Sequence, residues 1–180
     1  KLLLFSIFVF DLNVVNGQNV SDYRSRLTGN WNTASNWEKF DGINWVTADS
    51  VPNSSKGVIT IKSGHNMTLN LSITLDQVVI ENGGIITQSS NILTLNDGPD
   101  TDLTCNGTLV FSGGTLNGNG SIEILSGATF TWDGGTISGG NEVVIDNGAT
   151  LNMNTSSNKT LTGNRILINK GTVNHNAGNF

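Results

Sequence analysis

The sequence is poor in cysteine, charge and long apolar runs. Cys105 is the single cysteine among 180 residues, so no disulfide forms within the chain, and a small buried hydrophobic role is expected of it. Charged residues make up 13% of the chain and sum to a formal net charge of −5. This balance argues against a nucleic-acid-binding protein, which needs a basic face. No window of about 20 apolar residues occurs, so no membrane-spanning helix is predicted.

The N-terminal stretch KLLLFSIFVFDLNVVNG has the pattern of a secretory signal peptide. Lys1 supplies a positive charge, Leu2 to Phe10 form an apolar run, and Val15 to Gly17 offer a small-residue cleavage site. We expect residues 1–17 to be a signal clipped at its start, and the protein to be secreted or displayed on the outer cell surface. The alternative is a buried N-terminal strand.

An internal repeat is the main signal in the rest of the chain. Alternating apolar residues, a polar-glycine turn and a second alternating run recur in ITIKSGHNMTL from Ile59, VVIENGGIITQ from Val78, IEILSGATFTW from Ile122, VVIDNGATLNM from Val143 and ILINKGTVNHN from Ile166. The predicted turn glycines are Gly64, Gly84, Gly107, Gly127, Gly148 and Gly171, spaced by 20, 23, 20, 21 and 23 residues.

This period predicts an all-β fold, a right-handed parallel β-helix or β-solenoid with about 20–23 residues per coil and two or three short strands in each. An antiparallel β-sandwich is the alternative, although it does not explain the constant period. We expect a capping segment at 18–56 and coils at 57–180 that are truncated at the C-terminus. The residues predicted to face the interior are Leu109, Ile122, Ile124, Phe130, Val143, Ile145, Leu151, Ile166, Ile168 and Val173.

Three of the four tryptophans, Trp31, Trp37 and Trp45, lie in GNWNTASNWEKFDGINW, directly before the first regular coil. One interpretation is a cap that covers the open end of the stack, with Gly42 turning a small hairpin. The other is a platform that stacks on sugar rings. Trp132, the fourth tryptophan, is a further candidate ligand contact, with covering a corner of the coil as its alternative role.

The same segment resembles a known type of protein module. The stretch YRSRLTGNWNTASNWEKFDGINWVTADSVPNSSKGVITIKSGHNMTLN, followed by ITLDQVVIENGGIIT, is similar to the N-terminal module of large secreted Bacteroidetes proteins. That resemblance implies a β-helix and a C-terminal sorting domain for type IX secretion, which is not visible here. A looser resemblance, to the G8 domain of extracellular proteins, rests on Trp37, Val51, Pro52, Ile61 and Gly64. Together the resemblances cover about Tyr23 to Thr87.

Catalytic and metal-binding patterns are sparse. Many β-helices are polysaccharide lyases or hydrolases, but the carboxylates form no column along the repeat, and no catalytic residue is assigned. The stretch NDGPDTD offers Asp97, Asp100 and Asp102 as ligands for Ca²⁺, or it is a solvated insertion loop in a longer coil. No other cofactor is predicted.

One regular outward column is predicted at Thr108, Thr129, Thr150 and Thr172. A flat threonine ladder suits ice or a crystalline polysaccharide, whereas β-branched preference for strands explains it without a ligand. The next outward positions, Val110, Thr131, Asn152 and Asn174, do not repeat.

The function expected from the sequence is a structural or adhesin-like solenoid that contacts extracellular polysaccharide or cell-surface glycans. Two alternatives remain open, the N-terminal part of a carbohydrate-active β-helix enzyme and a carbohydrate-binding module that uses the tryptophans. We expect a monomer that continues into further C-terminal domains, since the chain stops at Phe180 in mid-repeat.

Overall fold

A computed structural model describes residues 17–180, so all of the predicted signal peptide except Gly17 lies outside the described residues. The described chain contains 21 strands, a single 3-10 turn at Ala34–Asn36 and no α-helix. Within this range no helix is long and apolar enough to cross a membrane.

The strands are short, two to four residues each, and are numbered β1 to β21 in chain order. The first four belong to the N-terminal cap: β1 (Tyr23–Ser25), β2 (Gly29–Asn30), β3 (Trp37–Phe40) and β4 (Trp45–Thr47). The others follow as coil 1, β5 (Ile59–Ile61), β6 (Asn66–Thr68) and β7 (Ile73–Leu75); coil 2, β8 (Val78–Ile80), β9 (Ile85–Gln88) and β10 (Ile92–Leu95); coil 3, β11 (Leu103–Cys105), β12 (Thr108–Phe111) and β13 (Thr115–Gly118); coil 4, β14 (Ile122–Ile124), β15 (Thr129–Trp132) and β16 (Gly135–Ile137); coil 5, β17 (Glu142–Ile145), β18 (Thr150–Met153) and β19 (Lys159–Leu161); and coil 6, β20 (Ile166–Asn169) and β21 (Thr172–His175).

The strands form three sheets that run the length of the stack, so the predicted parallel β-solenoid is confirmed. Sheet A has the order β20-β17-β14-β11-β8-β5-β1-β3-β4, sheet B the order β2-β6-β9-β12-β15-β18-β21, and sheet C the order β19-β16-β13-β10-β7. All pairs are parallel except β1–β3 and β3–β4, which are antiparallel. Each of coils 1 to 5 therefore contributes one strand to each sheet, and coil 6 contributes one to sheets A and B, with successive strands about 4.8 Å apart.

Alternation along each strand builds the core, because successive side chains point to opposite faces of a sheet. In sheet B the inward column is fully buried from Met67 through Ile86, Leu109, Phe130 and Leu151. Equivalent apolar columns descend inside sheets A and C, and together they form one continuous core. No coil could bury its apolar face alone, so each coil is stabilised by its neighbours.

The corner between sheets A and B has two lengths, so the predicted turn glycines do not all occupy equivalent positions. Four residues connect the strands in coils 1, 2, 4 and 5, but only two connect them in coils 3 and 6. Pairing of sheet B shows that the coils repeat after 19, 23, 21, 21 and 22 residues. Gly64, Gly127 and Gly148 have positive φ, as expected of turn glycines. Gly107 is needed for a different reason, since a Cβ there would overlap backbone carbonyl oxygens of coil 2.

The last coil corrects two predicted core residues. Leu167 pairs with Val143, so it takes the inward place, and Ile166 and Ile168 fall in outward positions. The shift arises because coil 6 has the shorter, two-residue corner. Ile166 is accordingly 54% exposed.

The N-terminal cap joins the stack by strand pairing. Strands β1 and β2 pair in parallel with β5 and β6, so they form a partial coil ahead of coil 1. Strands β3 and β4 then fold back as an antiparallel hairpin on β1. Gly42 lies in the hairpin connection with φ of +104°, as the sequence predicted.

Candidate functional site

The outer surfaces of sheets B and C carry no charged side chain at any outward strand position of coils 1 to 6. In sheet B the two outward columns are Asn66, Ile85, Thr108, Thr129, Thr150 and Thr172, beside Thr68, Thr87, Val110, Thr131, Asn152 and Asn174. The outward strand residues of sheet C are Thr74, Ile92, Thr94, Thr115, Asn117, Thr136 and Thr160. Threonine and asparagine therefore dominate both faces, which we call the B face and the C face.

The predicted threonine column is confirmed in register, since Thr108, Thr129, Thr150 and Thr172 pair in sequence across sheet B. The second column is longer than expected, because it begins with Thr68 and Thr87 in coils 1 and 2. Sequence reasoning missed the C face altogether. The strings GGTLNG from Gly113 and GGTISG from Gly134 repeat after 21 residues and carried its signal, but the sequence did not show which of their residues point outward.

Several ladder side chains hydrogen-bond to the next coil. The Asn174 amide donates to the Asn152 side chain at 2.9 Å, and Thr87 Oγ1 donates to the Asn66 side chain at 3.1 Å. On the C face, Ser138 Oγ donates to the Asn117 side chain at 3.2 Å. These bonds and the stiff χ1 of threonine order the surface before any partner arrives.

Sheet A has a different outer surface. Its outward strand positions include the charged residues Arg24, Glu123 and Glu142, and the adjoining corner with sheet B carries an ion pair between Lys170 and Asp146 at 3.3 Å. Glu81 and Asp146 share a corner column, but coils 3 and 4 separate them. In the described chain, charge therefore lies on sheet A, in the corners and in the N-terminal cap, and not at the outward strand positions of sheets B and C.

Three candidate tryptophans are buried in the core, which corrects their prediction as ligand contacts. Trp31, Trp37 and Trp132 are each 0% exposed, so no ring face is accessible to a sugar. Trp31 and Trp37 pack edge to face with ring centroids 4.5 Å apart. The Trp31 indole N–H donates to the Pro52 carbonyl and that of Trp37 to the Trp31 carbonyl, both at 3.0 Å. This is the packing that the cap interpretation predicts.

Trp45 differs because its side chain is only half-buried and lines a groove of about 590 Å³. The groove runs between the cap and the outer surface of sheet A. Arg24 lies over the indole with its guanidinium carbon 4.2 Å from the ring centroid. Asp100, a predicted metal ligand, lines the same groove.

The other two predicted metal ligands do not gather around Asp100. Asp97 is exposed, whereas Asp102 is buried and its carboxylate accepts hydrogen bonds from Gly98 N at 2.7 Å and Ser121 N at 2.6 Å. Within residues 17–180 no group of three His, Cys, Asp or Glu side chains is arranged to hold a metal ion. The stretch forms the seven-residue connection between β10 and β11, so its interpretation as an insertion loop agrees with the fold.

Cys105 and the two histidines lie apart. Cys105 is 0% exposed, and burial raises the pKa of its thiol to about 12. His65 Nδ1 bonds Ser25 Oγ at 2.8 Å at the N-terminal end, and His175 Nε2 bonds the Gly178 carbonyl at 2.9 Å at the other end. Cys105 therefore lacks both the ionised thiolate and the histidine partner that a catalytic cysteine needs.

No protein-family model, curated protein or solved structure matches this chain.

Proposed function

We propose that this protein is a secreted or surface-exposed structural solenoid of the adhesin type, whose B and C faces contact neutral polysaccharide. The signal-like pattern of residues 1–17 and the resemblance to secreted Bacteroidetes modules support the location. The solenoid supports the structural role, because stacked coils with a continuous core form a stiff support for their outer faces.

The observation that carries the proposal is the absence of charge from the outward strand positions of sheets B and C, whereas those of sheet A include Arg24, Glu123 and Glu142. A neutral polymer offers hydroxyl groups that both donate and accept hydrogen bonds, and threonine and asparagine side chains do the same. A charged side chain at such a contact would lose its hydration without gaining an opposite charge. An uncharged face therefore suits a neutral glycan surface better than an acidic or basic one.

The regularity of the faces adds to this fit. Equivalent side chains recur about every 4.8 Å along the stack. Because cross-coil hydrogen bonds such as Asn174 to Asn152 already order them, little side-chain entropy is lost on contact. A polymer with a regular repeat can then form the same weak contact many times over.

The experiment is a pull-down of the protein with insoluble neutral polysaccharides, namely cellulose, chitin, mannan and xylan. Thr131→Lys places a charge in the middle of the B face, and Thr104→Lys places the same charge at an outward position of sheet A as the matched control. We expect the wild type and the control to sediment with at least one polymer and Thr131→Lys to sediment less. Equal sedimentation of the two variants, or none by the wild type on any polymer, would contradict the proposal.

A further inference from the structure

A second, separate contact lies at the groove beside Trp45. We propose that this groove binds a single chain end or short segment of a neutral oligosaccharide. It shares with the proposed function only the glycan class of the ligand, since it lies on sheet A and not on the B or C face.

The wall of the groove combines an aromatic ring with fixed polar groups. Phe40 holds the Trp45 indole from one side, with ring centroids 5.5 Å apart, and Arg24 lies over the ring. The Arg24 Nε in turn donates to Glu38 at 2.6 Å. Arg24 and Phe40 thus hold the ring in place, and because the ring stays partly exposed and lines the groove it can contact the apolar face of a sugar.

The charges around the groove favour a neutral ligand over an acidic one. Arg24 is already paired with Glu38, and Lys62 forms no salt bridge in the described part of the chain. Glu81 and Asp100 line the same groove, and the Glu81 carboxylate accepts a hydrogen bond from Ser63 N at 3.0 Å. An acidic sugar would meet two carboxylates and one unpaired cation, whereas sugar hydroxyls can accept from Lys62 and donate to both carboxylates.

A third carboxylate of the groove, Asp22, is already occupied. Its two oxygens accept hydrogen bonds from Asn19 N at 2.8 Å and Val58 N at 2.9 Å. Asp22 therefore fixes the cap segment that forms one side of the groove and is not available to the ligand.

Two departures from the regular repeat meet at this groove, which is the observation that sets it apart from the rest of the surface. The cap hairpin supplies Trp45, and the seven-residue connection 96–102 supplies Asp100. The corresponding connections in coils 1, 3, 4 and 5 have two to four residues. Buried Asp102 fixes the long connection through its bonds to Gly98 and Ser121, so Asp100 is held at the groove by an anchored loop.

The test is isothermal titration of the protein with soluble hexasaccharides of β-glucan, chitin, mannan and xylan. Trp45→Ala is expected to lower the affinity at least about tenfold, as the loss of a central aromatic contact does. Trp45→Phe is expected to restore part of the loss. Asp100→Asn changes an exposed loop residue without touching the hairpin, so its expected loss of a few-fold remains informative if Trp45→Ala unfolds the cap.

Thr131→Lys provides the control that separates this site from the B face. We expect it to bind the soluble hexasaccharides as the wild type does, and we expect Trp45→Phe and Asp100→Asn to sediment with insoluble polymer as the wild type does. The groove proposal is overturned if no neutral hexasaccharide binds, if only acidic oligosaccharides bind, or if both Trp45→Ala and Asp100→Asn retain full affinity. Loss of sedimentation alone would contradict the function proposed for the faces and leave the groove standing.

Discussion

The two ends of the described solenoid differ in how their cores are covered. At the N-terminal end Trp31 and Trp37 are fully buried, and the β3–β4 hairpin extends sheet A beyond the partial coil. At the C-terminal end Val173 continues the inward column of Leu151, yet it is 37% exposed, and Phe180 is 61% exposed where it packs on Trp132.

The inward columns also change character toward the C-terminal end. Asn169 follows Ile145 in sheet A and His175 follows Met153 in sheet B, so polar side chains replace apolar ones. Lys159 is only 2% exposed, and its ammonium donates to the Thr155 carbonyl at 2.7 Å and the Ser157 carbonyl at 2.9 Å. Large aromatics therefore cover the first coils, while hydrogen-bonded polar groups replace apolar packing in the last. The buried aromatics of the N-terminal end should contribute far more to stability than the polar groups of the last coil.

The largest effect should come from breaking the aromatic end. Trp37→Ala removes a fully buried indole and leaves a cavity, so we expect the free energy of unfolding to fall by about 3–5 kcal/mol. Urea denaturation followed by circular dichroism measures it. Trp45→Ala is the matched control, because that side chain is half-buried and should cost clearly less. Equal losses for the two variants would mean that Trp37 does not cover the core.

A smaller effect should separate the interior of the stack from its C-terminal end. Leu151→Ala and Val173→Ala truncate side chains of one inward column in adjacent coils. We expect a loss of about 2–5 kcal/mol for Leu151, which is buried, and of less than about 1 kcal/mol for Val173, whose exposed side chain leaves no closed cavity. Thermal unfolding of the two variants tests this, and comparable shifts in Tm would contradict the difference between the coils.

The stability contributed by Asp76, at the corner under the insertion loop, should depend on pH. Burial, followed by the charge of neighbouring Asp102, raises the pKa of Asp76 above its ordinary value of 3.8. The folded protein therefore holds this proton more tightly than the unfolded chain, and the stability it contributes is lost as pH rises from about 3.8 through the raised pKa. Asp76→Asn should flatten that decline in urea midpoints measured across acidic pH, and an unchanged slope would contradict it.

The smallest effect is expected in the middle of the stack, where the thiol of Cys105 should be protected from reaction. Because its thiol is buried and its pKa lies near 12, a thiol-specific reagent should not react with the native protein at neutral pH. Full reaction is expected in urea. Rapid labelling without denaturant would show that the middle coils open more readily than their packing indicates.

Much of the fold followed from period-2 alternation and the repeated turns, because both report directly on strands that share one core. The outward positions of Ile166 and Ile168 could not be predicted from the sequence, since a two-residue and a four-residue corner look alike when a glycine marks each. Trp31 and Trp37 were predictable as a cap from their place ahead of coil 1. That Trp45 and Asp100 line one groove was not predictable, because strand pairing across coils brings together residues that the sequence separates.

The most direct test of the central claim, that uncharged faces contact a neutral polysaccharide, is the salt dependence of sedimentation with the insoluble polymer that binds best. Raising the ionic strength from 0.1 M to 1 M shortens the screening length from about 10 Å to about 3 Å and so weakens contacts between exposed charges. We predict that the bound fraction stays constant across this range. A bound fraction that falls steeply with salt would show that the charged residues of sheet A and the corners make the contact, and it would contradict the role assigned to the B and C faces.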